Sequence, residues 1–258
     1  MSKAALLCVL LVLALPPNAS AAPLDASAER YRAQLTEDIG QALAGARAMR
    51  GCLAANDLAG ARREWIAARV GWERSEVFTS GFVPELDREI DAWPNASHGF
   101  HGIEATLFGA SGADASKETD VLIEHLAELQ AQIGRMELAP QRLLNGLARL
   151  AFELGGNKAD GGESRLSGTS LNDMQSNADG IALAWRTIFA DPVEAVDQKL
   201  AAAVRTAIVR LKQDVSVATL RNLDAEKLRA DTEELVALLE TAAPRIGLSK
   251  PTLEEGAQ

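Results

Sequence analysis

Apolar residues recur along most of this chain every three or four positions, the period of a helix that buries one stripe. Tyr31, Leu35, Ile39 and Leu43 form the first stripe and predict a helix from about Ser27 to Arg50, with Gly51 at its end. Asn56-Asp57 then offers an N-cap for a second helix to about Phe78, with Trp65, Val70 and Trp72 on or near its buried side. Gly81, Pro84 and Pro94 interrupt residues 79–97, which read as a loop or short helical pieces. A short helix around His101 follows. Ile103, Leu107 and Phe108 form its buried side and Gly109 suits its C-terminal end. Beyond a linker at 111–116, helices are predicted from about Lys117 to Gly134 and from about Leu138 to Leu154.

Residues 155–168 form a long loop dense in glycine, and loops of that length inside a compact domain are usually functional or disordered. Ser170 and Asp173 have the spacing of a capping box for a helix reaching about Phe189. Asp191-Pro192 reads as the start of the next helix, whose stripe is Val193, Val196, Leu200, Val204, Ile208 and Leu211. The last helix is expected from about Ala225 to Thr241, with a tail from Pro244 onward. No run alternates polar and apolar residues as a half-buried strand would. The expectation is an all-α fold of antiparallel helices packed as a bundle, without an internal repeat.

The N-terminus departs from this pattern. A basic start at Lys3, an apolar run from Ala4 to Leu15 and the Ala19-Ser20-Ala21 ending read as a secretory signal peptide cut after Ala21. That leaves residues 22–258 as one helical domain, and the style of the signal points to a bacterial periplasm. The apolar run is too short for a membrane-spanning stop-transfer helix. Cys52 is then the one cysteine of the mature chain, so an intramolecular disulfide is excluded. Loss of Lys3 turns the formal charge of −10 into −11. Such acidity argues against nucleic acid and anionic membrane surfaces and suits cationic partners, metal ions included. With 47% hydrophobic but 4% aromatic residues, the core is expected to be mainly aliphatic.

Candidate chemistry centres on Gly99-Phe100-His101-Gly102-Ile103-Glu104. On a helix, His101 and Glu104 at i and i+3 share a face and can point at one object, a common way to hold a metal with an imidazole nitrogen and a carboxylate oxygen. The plainer reading is a partly buried structural histidine. Trp72-Glu73-Arg74-Ser75-Glu76 places Glu73 and Glu76 at the same spacing. An ordinary solvated face, paired with Arg69 or Arg74, would carry the same pattern. Leu86-Asp87-Arg88-Glu89-Ile90-Asp91 adds Asp87 and Asp91 close by, and the glycine-rich loop contributes Glu163. A zinc peptidase using His101 and Glu104 needs a third ligand and a general base from elsewhere. The remaining histidines are His98, which reads as a helix-start residue, and His125, a surface or packing residue. His-Glu-x-x-His, Gly-x-Ser-x-Gly, Walker and dinucleotide motifs are absent, Cys52 lies in an ordinary turn, and no catalytic residue is assigned. Asn95-Ala-Ser97 is formally a glycosylation sequon, incidental in an exported bacterial chain.

Taken in order, these pieces resemble the imelysin-like family and, within it, the periplasmic EfeO/EfeM type. The hallmark Gly-x-His-x-x-Glu is matched by Gly99 to Glu104 and continued by Leu107-Phe108-Gly109. An aromatic-Glu-Arg-x-Glu element is matched at Trp72 to Glu76, and an acidic Leu-Asp-x-x-Ile-Asp segment at Leu86 to Asp91. Gly162-Glu163, Ser167, Leu171-Asn172-Asp173, Asn177 and Gly180 match a later segment. The resemblance implies an exported helical bundle that binds metal for iron acquisition, beside an inner-membrane iron permease and other periplasmic uptake components. The ion it implies is iron first, with zinc and manganese as alternatives. The ligand set it implies is Glu73, Glu76, Asp87 or Asp91, His101, Glu104 and Glu163. The segment between Asp91 and His101 is shorter than the family pattern, so the choice between the two aspartates stays open. The chain lacks a cupredoxin-like part with its own Cys/His/Met cluster and so resembles the short form of the family. The family is also classed with peptidases, and some members are linked to alginate binding; one Tyr and four Trp make a polysaccharide groove the least favoured reading.

Overall fold

A computed structural model describes residues 21–92, 97–109, 114–159, 161 and 163–253. The expected signal segment up to Ser20, Asn95 of the sequon and Gly162 of the later motif lie outside the described residues. In chain order the helices are α1 (Ala21–Ala54), α2 (Leu58–Phe82), α3 (Pro84–Ile90), α4 (Gly99–Phe108), α5 (Ser116–Ile133), α6 (Pro140–Gly155), α7 (Ser170–Ala184), α8 (Ala190–Val196), α9 (Gln198–Asp214) and α10 (Ala225–Ala242). The fold is all-α, and no strand occurs among the described residues.

Local chemistry accounts for most boundaries. Asp57 caps α2 by accepting from the Gly60 amide at 2.8 Å, as its position before the apolar stripe suggests. Asp224 caps α10 in the same way through Lys227. The turn at residues 55–57 is so short that α2 must double back along α1, and the Asp38–Arg74 ion pair bridges the two helices. α2 is the central rod, packed on α1, α6 and α7 and flanked by α3 and α4, while α10 lies against α6 and α9. Buried apolar side chains form a continuous core from Leu24 to Ile246, with Trp65, Trp72, Phe78 and Phe100 among the largest.

Four expectations are corrected. First, α2 runs through Gly81 to Phe82, and only Pro84 ends it, reopening the chain as α3. Second, Asp191-Pro192 does not open a separate helix: α8 begins one residue earlier, at Ala190, and continues from α7. A π turn at Trp185–Phe189 joins α7 to α8, with the Ala190 amide bonding to the Trp185 carbonyl. This local change of pitch lies just before Pro192, which can donate no amide to the Ile188 carbonyl. The break falls instead at Asp197, which caps α9 through the Leu200 amide at 3.0 Å. Third, Thr169 rather than Ser170 precedes α7, and no capping box forms; Ser170 Oγ donates to the Glu163 carbonyl. Fourth, the segment after Pro244 is docked. It turns once as a 3-10 helix at Ala243–Ile246, and then Ser249 exchanges hydrogen bonds of 2.8 and 3.2 Å with Gln141 of α6.

Close approach of α6 to α2 depends on Gly146. A Cβ there would lie 1.9 Å from the Val77 carbonyl oxygen, a backbone atom that cannot swing aside. Gly146→Ala is therefore expected to destabilise the protein by about 1–3 kcal/mol while leaving it helical, measurable by thermal unfolding followed by circular dichroism.

Candidate functional site

The face of α2 that holds Arg69, Trp72, Glu73 and Glu76 repeats at i, i+3, i+4 and i+7, so these four side chains point to one side. Around that side gather Asp91 at the end of α3, His101 and Glu104 of α4, the loop after α6 with Lys158, Glu163, Ser164 and Ser167, and Asp173 and Asn177 of α7. Arg69 stands at the middle, 1% exposed. Its guanidinium meets Asp91 at 2.7 Å and Asp173 at 3.0 Å, pairs with Glu73 one turn along, and reaches Glu163 at 4.0 Å. Its plane lies 5.7 Å from the Trp65 ring and 5.5 Å from the Phe100 ring, so apolar groups close over the charge.

Lys158 is the second buried cation. Its ammonium lies 2.8 Å from Glu76, 3.0 Å from Glu163 and 3.3 Å from Glu73. Asn177 Nδ2 donates to Glu73 and Glu76 at 2.9 Å each, and Trp72 Nε1 donates to Asp91 at 3.1 Å. One carboxylate oxygen from each of Glu73, Glu76 and Asp91 lies within 4.8 Å of the other two, and the same holds for Glu73, Glu163 and Asp173. Oxygens bound to one ion at about 2.0–2.6 Å span distances of that order, so either trio can hold a metal. A cavity of about 310 Å³ opens beside them, lined by Glu76, Asp87, Asp91, Arg149, Lys158 and Glu163 among others.

The motif pair is arranged differently from the spacing argument. His101 and Glu104 are both buried, but they hold each other, with Nδ1 3.3 Å from Glu104 Oε2. The other Glu104 oxygen accepts from the amide and hydroxyl of Ser167 at 2.8 and 2.7 Å. This fits a proton on Nδ1, with Nε2 turned toward the carboxylate cluster. Nε2 faces Arg69 Nη1 at 3.5 Å and Asp91 Oδ1 at 3.6 Å. A histidine offered to a metal is oriented in this way by a carboxylate behind it. The chain reversal that delivers α4 needs Gly99. It adopts φ +61°, and a Cβ there would sit 2.5 Å from the Ile90 carbonyl. In the loop, Ser164 takes φ +45° although it is not glycine. The Oγ of Ser164 donates to Asp173, so this strained residue is held at the site.

Glu73, Glu76, Asp91, His101, Glu104 and Glu163 are thus brought together, while Asp87 lies on the cavity wall, half-buried. Sequence reasoning gave Arg69 only as a partner on an ordinary solvated face, whereas its pair with Glu73 is buried, and it left out Asp173 and Lys158 as site members. Arg69 was legible as a charge inside the apolar stripe of Trp65 and Trp72. Asp173 has the spacing of a capping residue and serves Arg69 instead. Lys158, in a glycine-rich loop, carries no local signal.

Burial shapes the titration. It pushes Glu163 up to about 7, with Lys158 opposing, and Asp173 up to about 6, with Arg69 opposing. Burial and then Glu73 hold Glu76 well above the usual range. Burial would lower Lys158 and Arg69, but the surrounding carboxylates hold both well above their ordinary values. Burial is outweighed at Asp91 by His101 and Arg69, and at Glu104 by hydrogen bonds from His101 and Ser167, so both lie below the usual range.

The fold and site define an all-helical protein whose interior holds a carboxylate cluster around two buried cations, with a histidine at its edge. The chain belongs to the imelysin (Peptidase_M75) family, whose model matches residues 19–98 and 95–246. It is 34% identical over 162 residues to the iron uptake system component EfeO of Yersinia pseudotuberculosis serotype I (strain IP32953), covering 58% of this chain and 42% of that protein. It is 28% identical over 174 residues to the iron uptake system component EfeM of Pseudomonas syringae pv. syringae (strain B728a), covering 63% and 61%. The chain therefore spans less than two thirds of these relatives. The crystal structure of a protein described as an iron-regulated protein A precursor from Parabacteroides distasonis ATCC 8503 superposes with a TM-score of 0.66 at 15% identity, over 91% of this chain and 97% of that one, a likeness of fold.

Two outcomes are expected. Arg69→Met leaves Glu73, Asp91 and Asp173 without their shared cation and should cost about 3–5 kcal/mol in denaturant unfolding. The native state keeps protons on Glu163 and Asp173 that the unfolded chain has already released, so stability falls as pH rises through that window. Asp91 and Glu104 have the opposite sign, and their contribution is lost as pH falls below the ordinary carboxylate range. The melting temperature should therefore decline between about pH 5 and pH 8, and Glu163→Gln should flatten that decline.

Proposed function

We propose that this chain is a periplasmic metal-binding component of an iron uptake system, in which a single helical domain carries the ion as cargo. The carrying observation is the convergence of Glu73, Glu76 and Asp91 oxygens within 4.8 Å, beside a cavity and with His101 Nε2 at its edge. Even with protons held on Glu76 and Glu163, the carboxylates of Glu73, Asp91, Glu104 and Asp173 outnumber Arg69 and Lys158, so the site retains negative charge for an incoming cation. Oxygen donors with one imidazole suit iron, and also manganese or zinc. Of the two aspartates, Asp91 is the ligand on this reading, and Asp87 stands at the entry. His101 binds through Nε2, while Glu104 orients it from behind.

Two of the relatives are named as iron uptake components, and this supports the same cargo here. An open cavity suits capture from solvent and hand-over to an inner-membrane iron permease. Among the described residues no helix is long and apolar enough to cross a membrane, which fits a chain that delivers to such a partner.

His101→Ala with Glu104→Ala, and separately Asp91→Asn, should weaken binding of iron, manganese and zinc by at least about tenfold in calorimetric titration of apo protein, with helicity retained. Unchanged stoichiometry and affinity in all of them would remove the site. Cleavage of casein by the zinc-loaded wild type, lost in the double variant, would turn the reading to a peptidase.

A further inference from the structure

Lys158 stands where a captured cation has to go. The residue is 5% exposed, and its ammonium contacts oxygens of Glu73, Glu76 and Glu163, which with Asp91 and Asp173 make up the two trios able to hold an ion. A metal bound to Glu73 and Glu76 would lie within a few ångströms of that ammonium, and two cations so close in a buried setting repel strongly. Both cannot use these oxygens at once.

We propose that Lys158 is a tethered cation that competes with the cargo metal: the ion enters by displacing the ammonium from Glu73, Glu76 and Glu163 and leaves as the ammonium returns. This rests on the metal-binding reading above and adds the residue that limits affinity and assists release. The two cations of the site are suited to different roles. Arg69 is pinned by Asp91, Asp173 and Glu73 and covered by two aromatic rings, so it stays. Lys158 is a compact charge on a flexible stem, follows the last turn of α6, and lines the open cavity. Asp87 and Glu153 line the same cavity and offer carboxylates to the withdrawn ammonium. In the metal-free protein Lys158 has its own use, since Glu73, Glu76 and Glu163 would otherwise face one another buried and uncompensated.

The test uses the mature chain, Lys158→Met, Lys158→Gln and manganese(II) chloride as probe. Both variants are expected to bind manganese at least about tenfold tighter than wild type by calorimetry and to surrender it more slowly to a chelator. In the wild type, a water-soluble acetylating reagent read by peptide mass spectrometry should leave Lys158 unmodified without metal and modify it once manganese is bound. The labelling decides the matter even should either variant fold poorly. Wild-type binding with Lys158 protected throughout, or with variants that bind no tighter, overturns the competition and leaves the metal site standing. No binding of manganese, iron(II) or zinc by the wild type overturns the metal-binding reading, and this inference with it.

Discussion

A guanidinium buried against tryptophan and phenylalanine rings needs negative charge from every direction that the apolar walls leave open. At Arg69 that charge comes from Glu73 on the same helix, Asp91 at the end of α3 and Asp173 of α7. Each partner is itself buried or half-buried, and removing the cation would strand all three. This one residue therefore ties α3 and α7 to α2 and determines where their carboxylates lie. The rest of the site is built outward from that arrangement.

Around it the polar groups form chains of support rather than isolated pairs. Ser167 holds Glu104, Glu104 holds His101, and His101 Nε2 is turned toward Asp91 and Arg69. Ser164 holds Asp173 and Asn177 holds Glu73 and Glu76. The segment between α6 and α7 supplies Lys158, Glu163, Ser164 and Ser167, so the glycine-rich stretch is a wall of the site. Such a net keeps acceptors aimed inward without collapse, because each buried carboxylate of the site has a donor or a cation facing it.

On the proposed metal-binding reading, the two cations give the site both permanence and exchange. Arg69 is planar, multiply bonded and capped, and it belongs to the scaffold. Lys158 reaches in from the loop and faces the cavity. A protein that carries an ion and then gives it up needs carboxylates close enough to bind and a means of keeping them apart when empty. A lysine among three carboxylates satisfies both needs with one side chain.

Helical periodicity is a local property, so the all-α fold and most helix spans were legible from apolar spacing, and the cap at Asp57 from its place before the second stripe; the Asp224 cap was not read from the sequence. The motifs were legible as well, since Glu73 with Glu76 and His101 with Glu104 share helix faces by period. What neighbours could not reveal were the partners. Asp173 has the spacing of a cap, yet it bonds to Arg69, 104 residues away. His101 and Glu104 could as well have pointed at an ion as at each other, and the Ser167 contact, 63 residues on, turns Glu104 toward the histidine. The break at Asp197 rather than Pro192 depended on a π turn that no apolar pattern encodes. The sequence by itself determined which residues lie on which face, because that follows from 3.6 residues per turn. Only the tertiary structure decided which charges meet, because a buried charge is satisfied by whatever the packing of distant helices brings within reach.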